Sequence, residues 1–242
     1  MKQNKYDDET FFAKYSSMDR STEGLGGAGE WPAFQAMLPD FINKRVLDLG
    51  CGFGWHCQYA LDHGAASAAG VDISAKMLTE GVRKFPRVNF ILSSIEDINF
   101  PENSFEVVLS SLALHYIKSF DEVCLKVRRC LSPGGVFVFS AEHPVFTAQG
   151  PQQWVKDETG RRGHWPVDDY FDEGPRQAVF LGERVLKYHR TVAAYISTLL
   201  AHGFEITGFQ EPVPGDDLLR RVPEMRDELR RPMMLIVSAL KR

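Results

Sequence analysis

Three glycines at alternate positions, Gly50, Gly52 and Gly54, close the stretch VLDLGCGFGWH, and Asp72 follows at the end of a second apolar run. Glycines so placed let the backbone turn tightly and approach a bound group without Cβ clashes, while a following helix offers free N–H groups. A carboxylate at the offset of Asp72 suits ribose hydroxyls. Together they predict a cradle for a nucleoside-bearing cofactor. Three of the seven histidines, His115, His143 and His189, are predicted near one edge of the fold, just past or just before its elements. With an ordinary pKa of about 6.5, imidazole can remove an acceptor's proton near neutral pH, so these are the candidate bases or substrate contacts.

The glycines alone do not name the cofactor. A dinucleotide GxGxxG turn needs its third glycine at position 55, where this chain has Trp55, and no Lys-Ser or Lys-Thr pair follows as in a phosphate-binding P-loop. The signal says ribose without saying diphosphate.

Strands are predicted over residues 45–49, 68–72, 88–92, 105–111, 136–141, 204–209 and 233–240. Helices are predicted from Trp55 to Gly64, from Ser74 as cap to about Phe85, from Asp121 to Leu131 and from Tyr188 to His202. This alternation predicts an α/β, doubly wound, Rossmann-like sheet, mostly parallel and seven-stranded, with helices on both faces and an antiparallel edge strand. Residues 1–44 read as an N-terminal helical cap and 45–242 as the main domain. Within it, 143–186 is an aperiodic, Trp- and Gly-rich insertion, expected to form a lid over the acceptor site. There Trp154, Trp165, Tyr170 and Phe171 are expected to build an aromatic wall, with Arg161 or Arg162 available to an acidic substrate.

DLGCGFG, then GVDIS, then FEVVLSSLALHY, then LSPGGVFVFS, in that order, resemble the class I S-adenosylmethionine-dependent methyltransferases over about residues 45–142. HRTVAAYISTLLAHGFEITGFQEP extends the resemblance to about residue 212. The resemblance implies S-adenosyl-L-methionine as cofactor. Gly50, Gly52 and Gly54 would line the methionine moiety, and Asp48 would anchor the turn or reach the amino group through water. Asp72 would bind the ribose, and Ile73 and Met77 would flank the adenine. Ser94 stands where the family commonly has Asp, so the adenine contact is expected to pass to Ile95 and Glu96. Ser110 and Leu112 would face the methionine end, with Tyr15 and Arg20 of the cap closing over its carboxylate.

With 44% hydrophobic and 25% charged residues, the 242-residue chain has a globular composition, and its net charge of −4 gives no footprint for sequence-independent nucleic-acid binding. A small-molecule acceptor and no nucleic-acid partner are therefore expected. A nucleic-acid amino-methylating enzyme would also carry an Asn/Asp-Pro-Pro-aromatic tetrad where this chain reads SSLA. The start lacks a signal-like segment and no 18 apolar residues run together, so no membrane partner and a cytoplasmic protein are expected. Cys51, Cys57, Cys124 and Cys130 lack CxxC grouping and read as packed, reduced thiols with no metal site. The competing readings are a nicotinamide-dependent oxidoreductase, disfavoured by Trp55 and the motif order, and a non-catalytic S-adenosylmethionine-binding module.

Overall fold

An apolar run buried on both faces is what a central parallel strand requires. Val46, Leu47 and Leu49 are fully buried in β1 (Arg45–Leu49), an interior strand of a seven-stranded sheet. The computed structural model describes residues 2–242. Ahead of β1 come three short helices, α1 (Glu9–Ser16), α2 (Asp19–Thr22) and α3 (Trp31–Ala36). The chain then alternates through α4 (Trp55–Asp62), β2 (Ser67–Asp72), α5 (Ala75–Lys84), β3 (Asn89–Leu92) and β4 (Phe105–Ser111). It continues through α6 (Phe120–Cys130) and β5 (Leu131–Glu142).

Next come α7 (Pro144–Thr147) and two antiparallel hairpins, β6 (Val155–Lys156) with β7 (Arg162–His164), and β8 (Gly174–Phe180) with β9 (Glu183–His189). The chain ends with α8 (Val192–Ala201), β10 (Phe204–Gln210), α9 (Asp216–Arg221) and β11 (Met234–Lys241).

The sheet order is β10-β11-β5-β4-β1-β2-β3. β11 runs against both β5 and β10, so the antiparallel strand lies one place in from the edge. Successive strand residues feed opposite layers, as the pleat demands. Leu47, Val108, Phe137 and Val237 meet Phe120, Val123, Tyr195 and Leu199 from α6 and α8. Val46, Val107, Val138 and Ile236 meet Phe34, Cys57, Ala60 and Leu78 from α3, α4 and α5. All four cysteines are free and buried in these layers.

Two boundaries differ from the sequence reading. β5 starts at Leu131, and its register against β4 steps from Phe105↔Leu131 to Val107↔Val136, so Pro133-Gly134 interrupts a strand already begun rather than ending the helix. Residues 183–189, the end of the expected aperiodic stretch and the start of an expected helix, form β9, with Val185, Lys187 and His189 on its buried face. Lys and His at inward positions hide the alternation. The hairpin packs on the N-terminal segment, where Phe11, Ala178 and Val185 form a third small core.

Ser74 carries two jobs at the start of α5. Its Oγ accepts from the Met77 N–H at 3.1 Å and donates to Asp7 at 2.6 Å, tying the N-terminal segment to β2. Ser74→Ala is therefore expected to cost about 1–2 kcal/mol, read as a shift in the urea midpoint. An unchanged midpoint would show that the cap is dispensable.

Candidate functional site

β1 and β4 lie side by side while their following helices cover opposite faces, which leaves a crevice at the carboxyl ends of the strands. A cavity of about 730 Å³ opens there. Gly50 and Gly52 lie on its wall with φ of +77° and +52°. A Cβ on Gly50 would come 2.4 Å from the Cβ of Ala113, so glycine is what lets the loop after β4 approach the turn. A Cβ on Gly52 would meet no protein atom within 4 Å. The room beside Gly52 belongs to the cavity. Gly54 stands behind the turn against Phe90 and does not line it.

Asp72 fixes the turn from the neighbouring strand. Its Oδ2 accepts the Gly52 N–H and its Oδ1 the Ser74 N–H, each at 2.9 Å. Burial raises its pKa, opposed by these N–H bonds. Ile73, Met77, Ser94, Ile95 and Glu96 also lie on the wall. Ser94 is spent on its own turn, accepting the Glu96 N–H at 3.2 Å. At the other end of this half stand Leu112, Tyr15 and Arg20, whose Nη2 donates to both oxygens of Glu30 at 2.9 Å.

Asp48 and Ser110 do not reach the cavity. Ser110 Oγ donates to the Leu49 carbonyl at 2.8 Å, tying β4 to β1, and the neighbouring Ser111 lies on the wall instead. Asp48 is buried beneath the turn, and burial, with the Asp72 charge adding to it, pushes its pKa up to about 8. Its Oδ2 is 3.7 Å from His56 Nδ1, while its Oδ1 has no partner among the described residues.

The other half of the cavity is aromatic and comes largely from residues the sequence reading passed over. Tyr6, Tyr116, Phe180, Leu186 and Tyr188 wall it, with Met233 and Met234 from the approach to β11. Tyr6 stands edge-on to both Tyr15 and Tyr116, at 5.1 and 6.4 Å between centroids. The expected aromatic wall lies elsewhere. Trp154 and Trp165, with Phe146, enclose the Arg231 guanidinium, which sits 4.1 Å from the Trp165 centroid. Tyr170 and Phe171 are also off the cavity, Arg162 pairs with Asp227 at 2.7 Å, and Arg161 is exposed.

Of the three candidate histidines, only His115 lines the cavity. His143 caps α7, accepting the Val145 N–H on Nδ1 at 3.0 Å with Nε2 2.7 Å from the Glu211 carboxylate. His189 has both ring nitrogens engaged, with Thr147 Oγ1 at 2.7 Å and the Tyr170 carbonyl at 2.8 Å. Neither ring lies on the cavity wall, and each is engaged by these contacts instead.

His115 is almost fully buried on a turn that Arg190 clamps, its guanidinium donating to the carbonyls of Leu114, Ile117 and Lys118. Its Nδ1 accepts the Glu142 N–H at 3.3 Å, and its Nε2 lies 4.0 Å from Glu142 Oε1. Burial lowers its pKa to about 4. A histidine depressed in this way binds fewer protons folded than unfolded, so its contribution is complete above about pH 6.5 and is lost as pH falls towards 4. Between pH 7 and 5 the loss is about 2 kcal/mol. Urea unfolding at both pH values should show wild type falling more steeply than His115→Gln by roughly that amount; parallel slopes would refute it.

The walls fit the expected cofactor. They supply a carboxylate fixed beside the glycine turn, a vacant Cβ position at Gly52, and an arginine at the far end. A family profile described as a methyltransferase domain matches residues 47–139. A solved S-adenosylmethionine dependent methyltransferase from Mesorhizobium loti is 43% identical, over 90% of this chain and 100% of that one, with a TM-score of 0.84. A solved structure from Listeria monocytogenes is 57% identical over 90% of this chain and 99% of its own, with a TM-score of 0.85. An uncharacterized protein of Haemophilus influenzae is 32% identical over 98% of this chain and 96% of its own length.

Proposed function

Given that the chain belongs to the class I S-adenosylmethionine-dependent methyltransferases, we propose that it methylates a small molecule with an apolar body, held in the aromatic half of the cavity. The observation that carries this is continuity. One cavity runs from the glycine turn and Asp72 to Tyr6, Tyr116, Phe180 and Tyr188, so donor and acceptor share a space closed off by the N-terminal segment and the β8–β9 hairpin.

S-adenosylmethionine supplies an electrophilic methyl on a sulfonium and leaves as the neutral thioether. The chain's own part is placement. Asp72 and the Gly50–Gly52 turn hold the ribose and methionine end, Ile73 and Met77 flank the base, and Arg20 meets the carboxylate. Fixing two reactants in line replaces a bimolecular encounter and accounts for much of such an acceleration. The tyrosines orient the acceptor's apolar body and exclude water. His115 is the histidine that meets the acceptor. The net negative charge and the concave cavity favour a small molecule over a nucleic acid.

Calorimetry with S-adenosylmethionine against NAD, followed by an acceptor screen reading S-adenosylhomocysteine release, tests this reading. Binding of S-adenosylmethionine alone, with turnover on an apolar small molecule, is the expected result. Turnover only on tRNA or DNA would overturn the acceptor assignment, and binding with no turnover on any class would favour a non-catalytic module.

A further inference from the structure

The acceptor end of the cavity carries an ion cluster that the sequence did not reveal. Glu142 Oε1 receives the Lys187 ammonium at 2.5 Å, and its Oε2 receives the Gln152 amide at 2.8 Å. Lys187 also donates to Gln152 Oε1 at 2.9 Å, and only 2% of it is exposed. The rings of Phe180 and Tyr116 stand 5.8 and 5.9 Å from the same ammonium. Every polar atom in this group has a partner, as a buried charge requires.

His115 is held at Nδ1 by the Glu142 backbone, while its Nε2 lies 4.0 Å from the carboxylate of the same residue. A backbone N–H can only donate, so the Glu142 N–H obliges Nδ1 to accept. A neutral imidazole then carries its proton on Nε2, the nitrogen nearest the Glu142 carboxylate. The remaining charged groups around the ring are Lys187 and Arg190 from β9 and its end, and Arg20 from α2; Tyr116 is its neighbour on the turn. Burial opposes a further proton on the ring, and Lys187 and Arg190 add to it against the Glu142 carboxylate, Arg20 being paired with Glu30.

The other carboxylates on the wall are committed too. Asp72 accepts two backbone N–H groups, and Glu96 Oε1 accepts those of Lys118 and Ser119. Among the described residues, each carboxylate on the wall is thus already engaged by hydrogen-bond donors.

We propose that Glu142, held by Lys187 and Gln152, is a positioning residue that locks His115 as an Nε2–H donor, so that the site takes acceptors whose attacking atom bears its lone pair without losing a proton. Carboxylates, thiolates and free amines meet that condition, whereas alcohols and phenols do not. The acceptor's lone pair forms the new bond to the methyl carbon as the carbon–sulfur bond breaks, and the released electron pair stays on sulfur. An anionic acceptor leaves as a neutral methyl ester or thioether. A free amine leaves as an ammonium and sheds its proton to water after release. His115 gives a hydrogen bond throughout and takes no proton.

The assignment of acceptor class rests on the methyltransferase reading; the state of His115 does not. The test is nitrogen-15 NMR of the histidine side chains in the full chain with S-adenosylhomocysteine added, the His115 signal being identified by its loss in His115→Gln. The expected result is a neutral, Nε2-protonated ring from pH 6 to 8. In Lys187→Met the unpaired Glu142 carboxylate should raise the His115 midpoint by more than one pH unit, and Glu142→Gln added to that variant should reverse the rise. A merely structural role for Lys187 would leave the midpoint where it was. An Nδ1-protonated ring, or wild-type titration near pH 6.5, overturns the proposal. Faster methylation of benzyl alcohol or phenol than of phenylacetate, benzylamine and benzyl thiol also overturns it. Failure of S-adenosylmethionine to bind defeats the methyltransferase reading and leaves the tautomer result standing.

Discussion

Asp72→Ala should lower the affinity for S-adenosylmethionine by roughly 10²–10⁴-fold and leave the chain folded. The expectation follows from two kinds of contact made by one side chain. Hydrogen bonds to a charged carboxylate are each worth about 1.5–3 kcal/mol, and a tenfold change in affinity is about 1.4 kcal/mol, so losing two reaches that range. The same carboxylate accepts the Gly52 N–H at 2.9 Å, so its loss also loosens the turn that must hold still during transfer. Isothermal calorimetry measures the affinity and circular dichroism the fold. A variant that binds within threefold of wild type would remove Asp72 from the cofactor site. Gly52→Val gives an independent check, because its side chain meets no protein atom at Cβ and projects into the cavity. Its φ of +52° strains a β-branched residue, so the melting temperature is read beside the affinity, and a loss of affinity in a chain that still melts cooperatively is the expected result.

Arg190→Met should destabilise the chain by about 3 kcal/mol, a fall of roughly 6–12 °C in the melting temperature for a chain of this size. Arg190 is 8% exposed and has no carboxylate partner among the described residues; backbone carbonyls on both sides of His115 receive its guanidinium. A methionine keeps most of the volume and leaves those carbonyls without donors. Thermal unfolding measures the loss, and hydrogen exchange of Tyr116 and Ile117, whose N–H groups close the turn onto Ala113 and Leu114, should rise with it. A melting temperature within two degrees of wild type would show that the clamp is not needed.

The sheet from β1 to β5 was legible because local signals agreed with one another. Alternating apolar strands, Ser74 as a cap and the glycine turn all pointed to the same parallel arrangement, and Ile73, Met77, Ile95 and Glu96 fell on the wall with it. The acceptor half was less legible, for a reason of parity. Strand ends point alternate residues in opposite directions, so an edge argument that selects His143 without knowing the register can miss its neighbour. β5 runs to Glu142, and it is Glu142 that lines the cavity while His143 caps α7. The β9 strand was hidden because its inward positions include Lys187 and His189, which read as solvent-facing residues until Glu142 and Thr147 are seen as their partners. Tyr6 and Phe180 carried no local signal, since each reaches the cavity only through the packing of the N-terminal segment on the hairpin.

The cavity wall takes Tyr6 from near one end of the chain and Met234 from near the other, with residues from the middle between them. Contacts of such separation close long loops, so the cavity forms only with the chain folded over most of its length. Occupancy is consequently linked to the cooperative unfolding of the whole chain. Cofactor at a hundred times its dissociation constant adds about 2.7 kcal/mol to the unfolding free energy. Substitutions far from the cavity that leave the affinity unchanged should therefore lower the stability of loaded and empty protein by the same amount, the loaded protein keeping its advantage of about 2.7 kcal/mol.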